Sequence, residues 1–177
     1  IARFAARRAR RLLPAAALVL VTVAIITTLI ENTLRAHSAA VDATWSAVLL
    51  ANVRLAALGT DYLRSTGAPS VVQHWWSLAV EEQFYLVFPA LLALAWFFAR
   101  RRGIRPAVAS TRLLLIVIAV SLGLCILLTG RHLDPWGYGR QIAFYAALPR
   151  AWEFAVGALI AGLPRRSLPT NPSTATP

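Results

Sequence analysis

The sequence is poor in cysteine, in acid and in charge of any kind: of 177 residues one is Cys, seven are Asp or Glu, and only 14% are charged. With Cys125 alone, no disulfide framework and no thiolate metal cluster can form, and no metal site is expected. Cys125 lies in an apolar run, where it reads as a small buried hydrophobe. Soluble domains carry about 25% charged residues, so 14%, together with 58% hydrophobic residues, points to an integral membrane protein. Lysine is absent, and every basic residue is Arg. A net charge of +11 would suit nucleic acid if the arginines formed one patch. They instead border the apolar runs: Arg3, Arg7, Arg8, Arg10 and Arg11 precede one, Arg100, Arg101, Arg102, Arg105 and Arg112 separate two more, and Arg165 and Arg166 follow the last. This is the bias of loops that stay on the cytoplasmic side and touch anionic lipid, and no nucleic-acid partner is expected. The first apolar run has no small-residue cleavage site and the chain does not start with Met, so it reads as a segment inside a longer protein rather than one led by a signal peptide.

The runs predict an all-α, polytopic transmembrane bundle over residues 1–166, with about four spanning helices plus an interfacial one. A disordered tail rich in Pro, Thr and Ser follows over residues 167–177. The spans cover residues 12–30, with Pro14 in the first turn; 76–99; 113–130; and 141–163, interrupted by Pro149. Residues 45–58 are too short to cross comfortably. They would place Trp45, Val48, Leu49 and Leu55 on one face, but Asn52 and Arg54 interrupt them. Were they to cross, the arginines of residues 100–112 would fall on the opposite side from the N-terminal arm, so this stretch is expected to be interfacial or re-entrant on the outer side. The cell membrane is the expected location, with the N-terminal arm and the tail cytoplasmic.

Inside the second span stand two adjacent carboxylates, Glu81 and Glu82, in the stretch HWWSLAVEEQFYLVFP that begins at His74. An ionisable group within a membrane is costly, by roughly 2.5 kcal/mol or more near the centre, and such groups face a protein interior or a wet cavity. Ser77, Glu81 and Tyr85 recur at four-residue intervals and form a polar stripe, with Glu82 about a quarter turn away. Pro69 and Ser70, followed by Gln73, resemble an N-terminal capping box. Arg8 and Arg11, three apart, share a helix face suited to gripping phosphate. In the last span Arg150 and Glu153 are also three apart and read as an ion pair or a pair lining a cavity.

Three motifs bring a family into view. They are Arg7-Arg8-Ala9-Arg10-Arg11-Leu12-Leu13-Pro14; His74-Trp75-Trp76-Ser77-Leu78-Ala79-Val80-Glu81-Glu82-Gln83-Phe84-Tyr85; and Pro149-Arg150-Ala151-Trp152-Glu153, followed by Gly157. In this order the chain resembles the type 3 acyltransferases, integral membrane enzymes that acylate surface glycans, lipids or secreted small molecules. The resemblance implies an acyltransferase that moves an acyl group, acetyl foremost, from cytoplasmic acyl-CoA to a hydroxyl of an extracytoplasmic acceptor. Acyl-CoA is then a co-substrate, and no cofactor is bound. Arg8 and Arg11 suit the CoA phosphates. Glu81, His74, Arg150 and Glu153 are the candidate catalytic residues, and Trp76, Ser77 and Tyr85 the candidate substrate contacts.

Acyl transfer to an alcohol needs a base for the hydroxyl proton, donors for the tetrahedral oxyanion and a grip on the acyl donor. The family carries its histidine base on a helix before the Arg motif. The chain begins after that point, so residues 1–177 alone are expected to be inactive. A transporter is the alternative, because charged residues in kinked spans also line substrate paths, but no inverted repeat is visible.

Overall fold

A computed structural model describes residues 2–59, 69–130 and 138–162. These residues form seven helices and no strand: α1 (Ala2–Ile30), α2 (Thr33–Ala47), α3 (Ala51–Ala57), α4 (Trp75–Arg101), α5 (Pro106–Thr129), α6 (Gly139–Tyr145) and α7 (Ala147–Ala161). Three of them, α1, α4 and α5, are long and apolar enough to cross a membrane. The chain is therefore the all-helical membrane bundle its runs predict. The predicted tail over residues 167–177 lies outside the described residues.

The first span begins earlier than the apolar run suggests. Arginine and alanine are good helix formers, so the Arg-rich arm continues the helix outward to Ala2. Pro14 therefore lies inside α1 rather than in its first turn, and the carbonyl of Arg10 loses its helical donor. The capping box is not used either. Residues 71–74 form a turn in which Gln73 N–H donates to the Ser70 carbonyl at 3.0 Å, and α4 opens at Trp75 without a side-chain cap. From there α4 runs unbroken through Pro89 for 27 residues.

The stretch expected as one helix over residues 45–58 is two. Asn32 caps α2 by accepting from Arg35 N–H at 3.0 Å. α2 then returns alongside α1 until the chain breaks at residues 48–50, where Leu49 takes φ +58. Leu20, from the middle of α1, packs with Ala43, Ala51, Val72 and Trp75. Thus the junction of α2 and α3 packs at mid-height of α1. The face they bury is Ala43, Ser46, Ala51, Asn52 and Leu55, whereas Trp45 and Val48 of the expected face are exposed. Arg54 is spent on a part-buried ion pair with Asp42 that ties α3 to α2. Gly59 closes the hairpin at φ +62, and a Cβ there would run into the Tyr138 ring at the start of α6.

The fourth span is also divided. Pro149 sits in the first turn of α7, where its missing N–H costs nothing, and the break falls three residues earlier at the extended Ala146. The cause is the proline. It offers no N–H to the Tyr145 carbonyl four residues back and crowds it, so the helix ends there and restarts. Ser121 of α5 secures the restart, donating to the Leu148 carbonyl at 2.7 Å and accepting from Trp152 N–H at 2.9 Å.

Candidate active site

α1 and α4 run antiparallel and meet through long side chains, and this seam holds the charged groups. Arg8 Nε donates to Glu82 Oε1 at 2.7 Å, while a terminal guanidinium nitrogen lies 3.9 Å from Glu81. The same guanidinium lies 3.7 Å over the Tyr85 ring, and Phe4 packs on Tyr85 with ring centroids 6.4 Å apart. Tyr85 thus supports Arg8 from below by a cation–π contact, and the guanidinium is fixed on three sides. The Glu82 side chain is 13% exposed and that of Glu81 45%. Glu82, which the four-residue stripe leaves to one side, is the anchored carboxylate, and Glu81 is the open one. Beside them a pocket of about 460 Å³ is lined by Phe4, Arg7, Arg8, Arg11, Leu12 and Glu82.

This contact fixes the relative heights of the arginine groups. Phe4 and Arg8 lie level with Tyr85 and Glu82, and Arg100 is roughly 18 residues and 27 Å further along α4. The arm and the Arg100 cluster, expected at one membrane edge, therefore stand at different depths in the bundle. The Arg-rich pocket opens about 12 Å of helix below His74.

A second cluster forms on the other side of α4. Arg150 binds Glu153 in two places, Nε to Oε1 at 3.1 Å and a terminal nitrogen to Oε2 at 2.8 Å. It also reaches the Phe144 carbonyl at 3.4 Å and lies 4.9 Å over the Trp76 ring. Trp76 in turn packs on Phe144 and meets Tyr145 edge-on. The break between α6 and α7 makes this possible, because it turns Phe144 and Arg150 toward the same indole.

The predicted site residues thus fall into two groups. Arg8, Arg11, Glu81 and Tyr85 gather at the α1 seam; Arg150, Glu153 and Trp76 gather at the helix break. Trp76 and Tyr85, both expected to touch substrate, are nine residues apart and about half a turn round the helix, so they face opposite ways. Ser77 turns its hydroxyl to the His74 carbonyl at 3.1 Å, and His74 stands exposed before the first turn of α4 without capping it. Sequence reading passed over Gln83 and treated Asn52 only as an interruption. Both are buried or partly buried amides that bond one another, and the available signal was a polar amide where an apolar residue was due.

Comparison with known proteins places this helical bundle in a family. The family model described as "Acyltransferase domain" matches residues 1–175, and the chain belongs to the type 3 acyltransferase family. Among its relatives is a Bacillus subtilis protein provisionally named a peptidoglycan O-acetyltransferase, 30% identical over 95% of this chain and 25% of its own length. The peptidoglycan O-acetyltransferase OatA of Listeria monocytogenes is 30% identical over 90% of this chain and 24% of its length. A Komagataeibacter xylinus protein provisionally named a membrane-bound transacylase is 29% identical over 94% of this chain and 39% of its length. The chain therefore spans well under half the length of the curated relatives it matches. No solved structure matches it.

Proposed function

We propose that this chain is the donor-binding part of a cell-membrane O-acyltransferase that moves an acyl group, acetyl foremost, from acyl-CoA at the cytoplasmic face to a hydroxyl of an extracytoplasmic glycan. The observation that carries this reading is the pocket lined by Arg7, Arg8, Arg11 and Glu82. Its guanidinium groups supply the charge-assisted donors that a phosphate-bearing carrier needs. The names of two relatives favour a glycan acceptor and an acetyl group.

The geometry divides the labour among the arginines. Arg8 is committed to Glu82 and Tyr85, whereas Arg7 and Arg11 are exposed on the same pocket, one helical turn apart. Phosphate is therefore held by Arg7 and Arg11, with Arg8 as the floor between them and the carboxylates. The donor thioester then points along α1 toward Glu81. In the transfer the acceptor oxygen attacks the thioester carbonyl, its proton passes to a base, and the carbon–sulfur bond breaks to release CoA. Glu81, the more exposed of the two carboxylates, orients that base or accepts from the acceptor hydroxyl. Arg150, Trp76 and Glu153 border the acceptor side.

Two experiments test this. The complete protein in nanodiscs, offered acetyl-CoA and a peptidoglycan oligomer, should transfer acetyl, and Glu81→Gln should cut the rate. Acetyl transfer that Glu81→Gln leaves untouched would remove Glu81 from the chemistry. For sidedness, Ser110→Cys in a Cys125→Ser background should resist an impermeant thiol reagent applied from outside, and labelling there would invert the topology.

A further inference from the structure

We infer that Asn52 and Gln83 act as one positioning clasp, which sets the rotation of α4 and so holds its two charged clusters in register for transfer. The inference rests on the acyltransferase reading, and it concerns residues to which neither the motif chemistry nor the pocket gives a role. The Gln83 amide accepts from Asn52 Nδ2 at 3.2 Å and donates to Asn52 Oδ1 at 3.0 Å and to the Leu49 carbonyl at 3.0 Å. Asn52, 1% exposed, also donates to the Tyr145 carbonyl at 3.2 Å.

Both main-chain acceptors stand at helix breaks. Leu49 lies between α2 and α3 at φ +58. Tyr145 ends α6, and its carbonyl is the one Pro149 cannot serve. Asn52 thus supplies the donor that the proline lacks. Without water a freed carbonyl must find a partner inside the protein, so these bonds are specified rather than incidental.

The clasp joins three elements at one point of α4, next to Glu82. Turning α4 by one residue would swing Glu82 away from Arg8 and Trp76 away from Arg150 together, because Glu82 and Trp76 are carried on the same helix. A side chain that held the fold alone would affect only how much protein folds. One that sets this rotation affects the rate per folded enzyme.

The test uses the complete protein in nanodiscs. Gln83→Glu keeps the size and the acceptor from Asn52 but loses both donated bonds. It should lower kcat tenfold or more while the donor KM stays within twofold. Leu20→Ala, which opens a cavity in the core beside Trp75, serves as the comparator: it should lower the melting temperature at least as much and leave kcat within twofold. As a readout independent of activity, cross-linking of Phe4→Cys to Tyr85→Cys in an otherwise cysteine-free background should fall severalfold when Gln83→Glu is added. Unchanged cross-linking, or a kcat loss no greater than that of Leu20→Ala, would overturn the clasp. If Gln83→Glu does not accumulate, Asn52→Asp, which retains only the bond from Gln83, takes its place. If neither variant accumulates, the pair is a folding requirement and the positioning role is overturned. A native protein with no transferase activity but with Gln83-dependent cross-linking would sink the acyltransferase reading and leave the clasp standing.

Discussion

Where α4 meets α1, contact is made by one arginine, two carboxylates and a tyrosine; further along α4, where Phe84 and Phe88 meet α7, it is made by stacked aromatic rings. Phe84 stacks on Phe88 and on Phe154 at centroid distances of 4.9 and 4.7 Å, and Ser121 is the polar group between α5 and α7. In lipid there is little hydrophobic drive between helices, so such a seam is held by close packing and internally satisfied hydrogen bonds. Stacked pairs contribute about 0.5–1.5 kcal/mol each and change little with small shifts of chemistry. The Arg8 seam is different in kind. Its charges are half in contact with a pocket, and removing one partner leaves the other unpaired at depth. The Phe84–Phe88 stretch is a scaffold and the Arg8 seam a site, and the difference can be measured by whether a mutation moves stability, activity or both.

The largest effect is expected at the ion pair. Glu82→Gln in the complete protein should cost about a hundredfold in single-turnover transfer, because Arg8 would swing toward the pocket and Glu81 would lose its fixed neighbour. Arg8→Ala should cost as much activity and, in addition, about 2 kcal/mol of stability, since Glu82 is left largely buried without a partner. Normal transfer by either variant would make this seam a second scaffold.

Next in size comes donor affinity. Arg7→Ala and Arg11→Ala should each weaken CoA binding about tenfold at unchanged melting temperature, one charge-assisted contact being lost in each. Arg8→Lys should leave CoA affinity intact while lowering kcat, since lysine keeps the charge but not the planar stack on Tyr85. If Arg8 variants weaken CoA binding more than Arg7 variants do, the roles of the two are reversed.

On the scaffold side, Ser121→Ala removes both the bond to the Leu148 carbonyl and the acceptor for Trp152 N–H. A loss of about 1 kcal/mol in stability is expected, with transfer unaffected. Activity loss without destabilisation would mean that Ser121 also positions Arg150 and Glu153 for transfer.

What the sequence revealed and what it hid follow the same division. The long helices were legible because uninterrupted apolar runs leave the chain few alternatives in lipid, and the pairing of Arg150 with Glu153 was legible because three residues on a helix place side chains on one face. The partner of Arg8 was not, since Glu81 and Glu82 differ only in azimuth and the choice depends on where α1 packs. The helix breaks were half legible: Pro149 announced one, but the effect of a proline falls on the carbonyl four residues earlier, and nothing local marked Leu49. Gln83 was hidden for a simpler reason. Beside two carboxylates an amide looks incidental until the residue that receives it, Asn52, is seen on α3.

The smallest expected effect tests the break at Leu49, which belongs to neither side of the comparison but orients both. A leucine at φ +58 is held in a conformation that costs roughly 1–2 kcal/mol, because its Cβ crowds the following carbonyl. Glycine carries no such cost there, but it lacks the side chain, which is partly buried, and it frees the unfolded chain. These terms oppose one another, so Leu49→Gly should change stability by no more than about 1 kcal/mol. Leu49→Val has the opposite balance: a β-branched side chain tolerates positive φ less well, and about 1–2 kcal/mol should be lost. The Leu49 carbonyl that receives Gln83 is main chain and survives either change, so transfer per folded protein should stay near normal in both. Thermal unfolding in nanodiscs beside single-turnover transfer distinguishes the cases. A Leu49→Gly protein that melts normally but transfers poorly would show that the leucine side chain, and not only its carbonyl, sets the break.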